Sequence, residues 1–377
     1  MKKEVLKEAA FKNTKDSLAR RLSEKVLELG EKAAEKKGRR IKIMEVCGTH
    51  TVAFSRSGLS SLLTQFVDLR SGPGCPICVT HQKELDTMIS LAGMKDVIVA
   101  TFGDLLKVPG SSTTLEKEKA KGAFVHLCYS PLEAVELALK YPSREVVFLG
   151  IGFETTAPAI AAALDEARQR GASNFSLYSA LKAVPPALKA LLEKGDFDLD
   201  VMVLPGHVST VLGREAFAFV AREYRLPAVV VGFETLDLLT GLYYALKNVS
   251  EGKIEVSNAY THVVREKGNQ IARVVIEEHF EKEDASWRGL GVIPGSGYKL
   301  KRKFEDIDAK RRFELKEEHS LFTEPPGCRC GEIITGKLIP FDCPLFDRGC
   351  TPLTPAGPCM VSSEGACSAY YRYRLAY

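Results

Sequence analysis

The sequence predicts an α/β protein with parallel sheets and a separate cysteine-rich tail. Two observations carry that reading. From about residue 41 to residue 247, short β-branched apolar runs alternate with amphipathic helical stretches, the pattern of strand–helix units with helices on both sheet faces. Beyond Pro325 the periodicity stops and Cys, Gly and Pro accumulate. A segment of that composition needs a metal cluster or disulfides to hold it. The chain has 377 residues, 45% of them hydrophobic, enough for two or three cores.

In chain order, residues 1–40 read as a charged helical segment packing on the rest, with Leu18, Leu22, Val26 and Leu29 as an apolar stripe at helical spacing. Strands are expected at 41–46, 97–101, 124–128, 146–150, 175–180, 200–204 and 227–231. Helices are expected between them, at 51–63, 80–93, 130–140, 157–170, 184–194, 208–222 and 235–247. Boundaries are placed near Tyr141-Pro142-Ser143 and where the pattern loosens between 250 and 285. The domains so expected are 41–141, 142–280 and a tail domain at 281–377. Gly289, Gly291, Pro294, Gly295 and Gly297 read as a loop, and the basic run Lys299 to Arg312 as a solvated face. The peptide Gly152-Phe153-Glu154-Thr155 is echoed by Gly232-Phe233-Glu234-Thr235. Each follows an apolar strand and opens a helix, so one corner design is used twice.

Charge excludes some functions. The 52 basic and 48 acidic residues leave +4, too little to argue for nucleic acid or membrane binding. No apolar run reaches the roughly 18 residues of a spanning helix. Met1-Lys2-Lys3-Glu4 is charged and has no leader-like apolar run behind it, so a cytoplasmic location is expected.

The cysteines carry the chemistry. Cys47, Cys75, Cys78 and Cys128 lie in the first third, and Cys328, Cys330, Cys343, Cys350, Cys359 and Cys367 in the last 50 residues. In a chain expected to be intracellular, ten cysteines read as metal or redox groups rather than a disulfide framework. Cys47 ends the first strand and precedes Gly48 and a helix start. Free N–H groups and the macrodipole there favour a thiolate, and His50 can turn back to the same point. The pair suits a soft metal such as iron, or an activated nucleophile; a plain buried cysteine is the alternative. Cys75-Pro76-Ile77-Cys78, in a stiff Gly/Pro loop at a helix start, reads as a redox-active or metal-handling pair, with half a zinc site as the alternative. In the tail, Cys328, Cys343, Cys350 and Cys367 are widely spaced and leave Cys330 and Cys359 as a second pair. Wide loops without tight C-x2-C pairs favour a [4Fe–4S] cluster over zinc, with the choice of four among six open. Glu154 and Glu234, at strand ends, and His207, after the strand 200–204, either line a site or cap helices and form turns. Gly150-Ile151-Gly152 is a lone G-x-G and makes a nucleotide-dependent enzyme the weakest reading.

Taken together, Glu45-Val46-Cys47-Gly48-Thr49-His50-Thr51, Gly72-Pro73-Gly74-Cys75-Pro76-Ile77-Cys78, Gly152-Phe153-Glu154-Thr155-Thr156-Ala157-Pro158, Leu204-Pro205-Gly206-His207-Val208 and the terminal cysteine array resemble the HypD family of [NiFe]-hydrogenase maturation factors. The resemblance implies two Rossmann-like α/β domains around a cleft plus a small iron–sulfur domain. It also implies a metallocentre-assembly scaffold, monomeric alone, on which an iron carrying CN and CO ligands is built. HypC would form a stable complex, and HypE and HypF would supply cyanide transiently. By the same resemblance Cys47, with His50 nearby, would hold that iron. Cys75 and Cys78 would be redox-active, and Glu154 and His207 are further catalytic candidates. Cys328, Cys343, Cys350 and Cys367 would bind the [4Fe–4S] cluster, and Cys330 and Cys359 would relay electrons. The competing reading is a stand-alone iron–sulfur thiol–disulfide oxidoreductase.

Overall fold

The structure is a computed structural model that describes residues 17–195, 198–315 and 325–373. The charged start at Met1 to Glu4 and the rest of the first 16 residues lie outside the described residues.

Eleven strands are described. In chain order they are β1 (Ile41–Glu45), β2 (Val67–Ser71), β3 (Val97–Thr101), β4 (Phe124–Leu127), β5 (Glu145–Gly152), β6 (Phe175–Lys182), β7 (Val201–Pro205), β8 (Ala228–Val231), β9 (Val256–Asn258), β10 (Phe280–Trp287) and β11 (Gly291–Leu300). They form two sheets. One is a wholly parallel sheet ordered β2-β1-β7-β8-β9, and the other is ordered β10-β11-β6-β5-β3-β4. In the second, β6, β5, β3 and β4 are parallel, while β11 and β10 join antiparallel as a hairpin. The expected α/β class with parallel sheets and a cysteine-rich end is therefore observed.

Sheet membership does not follow the expected boundary at 141. That position falls between β4 and β5, which share a sheet, whereas β1 and β2 pair into the sheet completed by β7, β8 and β9. The physical reason is burial. β1 is buried apart from half-buried Lys42, so the backbone N–H and C=O groups on both of its edges need partners, and β2 supplies one set and β7 the other.

Side-chain alternation sorts the strands into cores. Ile41, Ile43, Val201, Val203, Val229 and Val231 face one core with the Thr235–Glu251 helix. Their neighbours Met44, Val46, Met202, Leu204 and Val230 face a second core, shared with Val99, Val147, Leu149 and Ile151 of the other sheet and with the tail cysteines. One continuous core thus joins both sheets and the tail. On the N-terminal helix Ser17–Lys37 the buried face is Ala19, Ser23, Val26 and Ala33, while Leu18 is exposed. Of the expected stripe, Val26 is buried and Leu22 and Leu29 pack partly buried against the same core, so only Leu18 falls outside it, while the small residues Ala19, Ser23 and Ala33 complete the face toward Thr235–Glu251.

Other differences have local causes. The helix expected at 51–63 is two, Gly48–Arg56 and Leu59–Leu63, separated at Gly58, whose φ is +74°. β2 escapes a periodicity search because Asp68 and Arg70 interrupt it; they pair with each other at 2.8 Å. The glycine-rich stretch read as a loop is β11, which pairs with charged β10 through a bulge between Glu283 and Ala285. The helix Gln270–His279, in the loosened region, turns Ala272, Val275, Ile276 and His279 to the core at helical spacing and leaves Ile271 and Val274 exposed. Part of the Lys299 to Arg312 run is tied down, since Arg312 reaches Glu145 and the Phe175 carbonyl. Among the described residues no helix is long and apolar enough to cross a membrane.

Candidate functional site

β1 delivers Cys47. The strand ends at Glu45, and Cys47, at φ −158° and ψ 121°, is the N-cap of Gly48–Arg56. Its N–H donates to Glu45 Oε2 at 3.1 Å, and the Thr51 hydroxyl donates to Glu45 Oε1. A carboxyl buried under the corner therefore fixes the turn, and burial pushes its pKa up to about 8. Two glycines let three segments meet here. A Cβ on Gly74 would overlap the Cys47 backbone, and one on Gly48 would strike Glu364. Gly48 N–H donates to Gly74 O at 3.0 Å, and the Thr49 hydroxyl donates to Glu364 Oε1 at 2.6 Å. Cys47 is thus stitched to the Cys75 loop on one side and to the tail on the other.

The expected thiolate is not the form favoured in this closed arrangement. Burial, reinforced by the Glu364 carboxyl, pushes the Cys47 thiol up to about 12, and the His50 backbone N–H offsets only part of that. The helix-terminus effect is real but smaller than desolvation at a thiol only 7% exposed.

His50 is fully buried, and its Nε2 lies 3.1 Å from Val231 O and 3.0 Å from Gly232 O. Carbonyls only accept, so Nε2 carries the proton and Nδ1 presents its lone pair. Nδ1 has no partner among the described residues, and burial lowers the imidazole pKa to about 4. The ring stacks on Phe233 at 4.6 Å, and His207 stacks on Phe233 at 3.8 Å. His50 and His207 are therefore brought together through an aromatic ring that the sequence reading noted only as part of a repeat.

Cys75 and Cys78 form a disulfide. Cys75 caps Pro76–Val79, its Sγ accepting from Cys78 N–H at 3.2 Å. Behind it, Arg288 N–H at the end of β10 donates to Val79 O at 2.8 Å, so the hairpin braces the loop. In front, Ser362 Oγ lies 3.4 Å from Cys75 Sγ. Ser362 directly follows the Pro358–Val361 helix that carries Cys359, and its turn is held by Asp104, which accepts from Ser363 N–H at 2.9 Å. Asp104, Ser362 and Glu364 are not marked by any local motif in the sequence; Asp104 lies more than 250 residues from the other two.

The six tail cysteines line one cavity, walled otherwise by Ile333, Leu345, Phe346, Gly357 and Met360. Among the described residues none of the six is in a disulfide. Cys330 is held against Cys359, which together with burial pushes its pKa well up, and Cys359 also approaches Cys367. The lining does not separate four cysteines from two. Sulfur donors without a histidine or carboxylate, in an apolar wall, are the set an iron–sulfur cluster takes, so the residues fit the expected cofactor.

Glu154 sits at the other corner. It is buried, with Oε1 accepting from Val184 N–H at 3.0 Å and Oε2 without a hydrogen bond among the described residues. Burial raises it to about 7. It opens on a cavity shared with Lys282, Tyr298 and Arg273. Its sequence echo Glu234 is instead exposed at the start of Thr235–Glu251, where its N–H donates to Asp237.

Comparison with known proteins agrees with the motifs. A family model described as HypD, hydrogenase formation hypA family, matches residues 19–374. The hydrogenase maturation factor HypD of Rhodobacter capsulatus is 40% identical over 360 residues, covering 95% of this chain and 96% of its own. That of Escherichia coli K12 is 43% identical over 337 residues, covering 89% and 90%. That of Azotobacter vinelandii is 43% identical over 342 residues, again covering 89% and 90%. With a matching model over nearly its whole length and full-length relatives at this identity, the chain belongs to the HypD family of hydrogenase formation proteins.

Proposed function

We propose that this HypD-family chain is a scaffold for assembling the Fe(CN)2CO group of [NiFe]-hydrogenase, with Cys47 as the protein's thiolate to the iron cargo and HypC as the stable partner. The observation that supports this best is the Cys47 corner. A buried thiol caps a helix whose first turn carries His50, a buried imidazole with an unpartnered lone pair among the described residues, and the adjoining Gly48 N–H ties it to the loop of the Cys75–Cys78 disulfide. Cyanide nitrogens are hydrogen-bond acceptors, so backbone N–H groups at the start of Gly48–Arg56 suit them. Soft thiolate ligation suits ferrous iron with strong-field ligands. The high thiol pKa of the closed form means that iron loading must displace the proton, and a bound cation does that.

Cys328, Cys343, Cys350 and Cys367 would hold a [4Fe–4S] cluster, which supplies single electrons when bound. Cys330 and Cys359 would exchange with the Cys75–Cys78 disulfide. One pair becomes a disulfide as the other becomes a dithiol, moving two electrons and two protons. HypE and HypF would donate cyanide transiently. The test is anaerobic co-purification with HypC, measuring iron beyond the cluster and the infrared bands of cyanide and carbonyl. Absence of both would remove the scaffold role.

The Cys75–Cys78 disulfide also favours a second reading, a stand-alone iron–sulfur thiol–disulfide oxidoreductase. That protein would reduce a disulfide substrate without HypC and would carry no iron beyond its cluster.

A further inference from the structure

The outer edge of the six-stranded sheet carries a group of ligating side chains that the scaffold reading leaves unused. Strand alternation puts His126 and Cys128 on one face of β4. Cys128 N–H donates to Thr101 O at 2.8 Å, continuing the β3–β4 ladder one residue past the end of β4 and fixing the cysteine backbone. The chain then turns at Ser130 into the helix Pro131–Lys140, whose first turn brings Glu133 back to the same place. A ring nitrogen of His126, Cys128 Sγ and a carboxylate oxygen of Glu133 all lie within 4.8 Å of one another. Cys128 is buried, and the other two are half-buried.

We propose that His126, Cys128 and Glu133 bind one zinc-class divalent cation, with solvent completing a four-coordinate shell. One nitrogen, one sulfur and one oxygen donor form a borderline set that suits such an ion, and three protein ligands leave one open position. The carboxylate is already oriented, since Glu133 Oε1 accepts from the Tyr129 and Ser130 N–H groups at 3.1 Å each and leaves its second oxygen for a ligand. Helix capping accounts for Glu133 and core packing for Cys128, but neither accounts for His126 meeting both. None of the three lines the six-thiol cavity, so the site is separate from the tail.

The experiment uses the full chain purified anaerobically, titrated with Co2+ as the probe. Wild type gains a thiolate-to-cobalt charge-transfer band that Cys128→Ser lacks. The other nine cysteines are common to both proteins, so the difference spectrum isolates this site. Cys128→Ser and His126→Ala should weaken binding by more than the roughly 10–100-fold that losing an outer-shell partner costs. Glu133→Gln keeps the capping oxygen, so its circular dichroism should match wild type while cobalt binding weakens. Equal bands in wild type and Cys128→Ser overturn the proposal, as does a folded Glu133→Gln protein with wild-type cobalt affinity. No cobalt band in either protein overturns it as well.

Discussion

Cys47 and Cys343 are each 7% exposed, yet different things hold them in place. Cys47 sits between β1 and a nine-residue helix, with its backbone bonded to Glu45 and its neighbour Gly48 bonded to Gly74. Cys343 follows the three-residue turn Pro340–Asp342. Around it the described tail has short helical turns and one isolated bridge, Phe346 to Cys350, and no strand. The front thiol is positioned by architecture. The tail thiols converge in a segment with little regular structure of its own, and in the proposed reading the cluster supplies the order. A thiol that the fold positions can be replaced without unfolding its surroundings, whereas one that positions the fold cannot.

The largest expected effect is therefore in the tail. If the tail holds the proposed cluster, Cys343→Ala or Cys350→Ala should bleach its visible colour and release the amides of 325–373 to fast hydrogen exchange, because cluster binding there would be folding energy. Unchanged protection would show that the apolar wall alone orders the tail. Cys330→Ala and Cys359→Ala should keep the colour; bleaching by Cys330→Ala would mean that the wrong four ligands were chosen.

The front corner breaks differently. Gly74→Ala puts a Cβ against the Cys47 backbone, and overpacking of this kind costs about 1–3 kcal/mol. Urea unfolding should show that loss with the tail colour intact. A neutral result would mean that the two loops are less tightly joined than described.

A smaller effect separates the two Gly-Phe-Glu-Thr corners. Glu154 has its pKa raised by burial from 4.5 to about 7. The folded state then holds a proton that the unfolded state has lost. The contribution is fully present below about 4.5 and is lost as pH rises through about 7. Wild type should lose about 1–3 kcal/mol relative to Glu154→Gln across that window. Glu234→Gln keeps Glu154, so its profile should run parallel to that of wild type, and only Glu154→Gln should depart from both. Parallel profiles for all three proteins would discount the burial of Glu154.

Those corners also show what was legible in the sequence. Four shared residues correctly marked two strand–turn–helix corners, but not that they cap different sheets. Phe153 stacks on Trp287, while Phe233 stacks against His50 and His207. The seven expected strands are observed because apolar β-branched runs report burial directly. Charged β2 and β10 and glycine-rich β11 were hidden, since there pairing overrides composition. At the site, Cys47, His50, Cys75 and Cys78 were legible because each lies in a local motif. Glu364, Ser362 and Asp104 were not, because they reach the site only through tail docking. The thiolate expected at Cys47 failed for a quantitative reason, since desolvation outweighs a helix terminus at a closed corner.

The central claim is that Cys47 holds the iron cargo, and the infrared spectrum of Cys47→Ser co-purified with HypC tests it most directly. Serine keeps the shape of the corner but offers a hard, poorly ionised hydroxyl in place of a soft thiolate. The variant should keep its fold and cluster, lose the iron beyond the cluster, and show no cyanide or carbonyl bands. Bands at wild-type intensity would contradict the claim and move the cargo site away from Cys47.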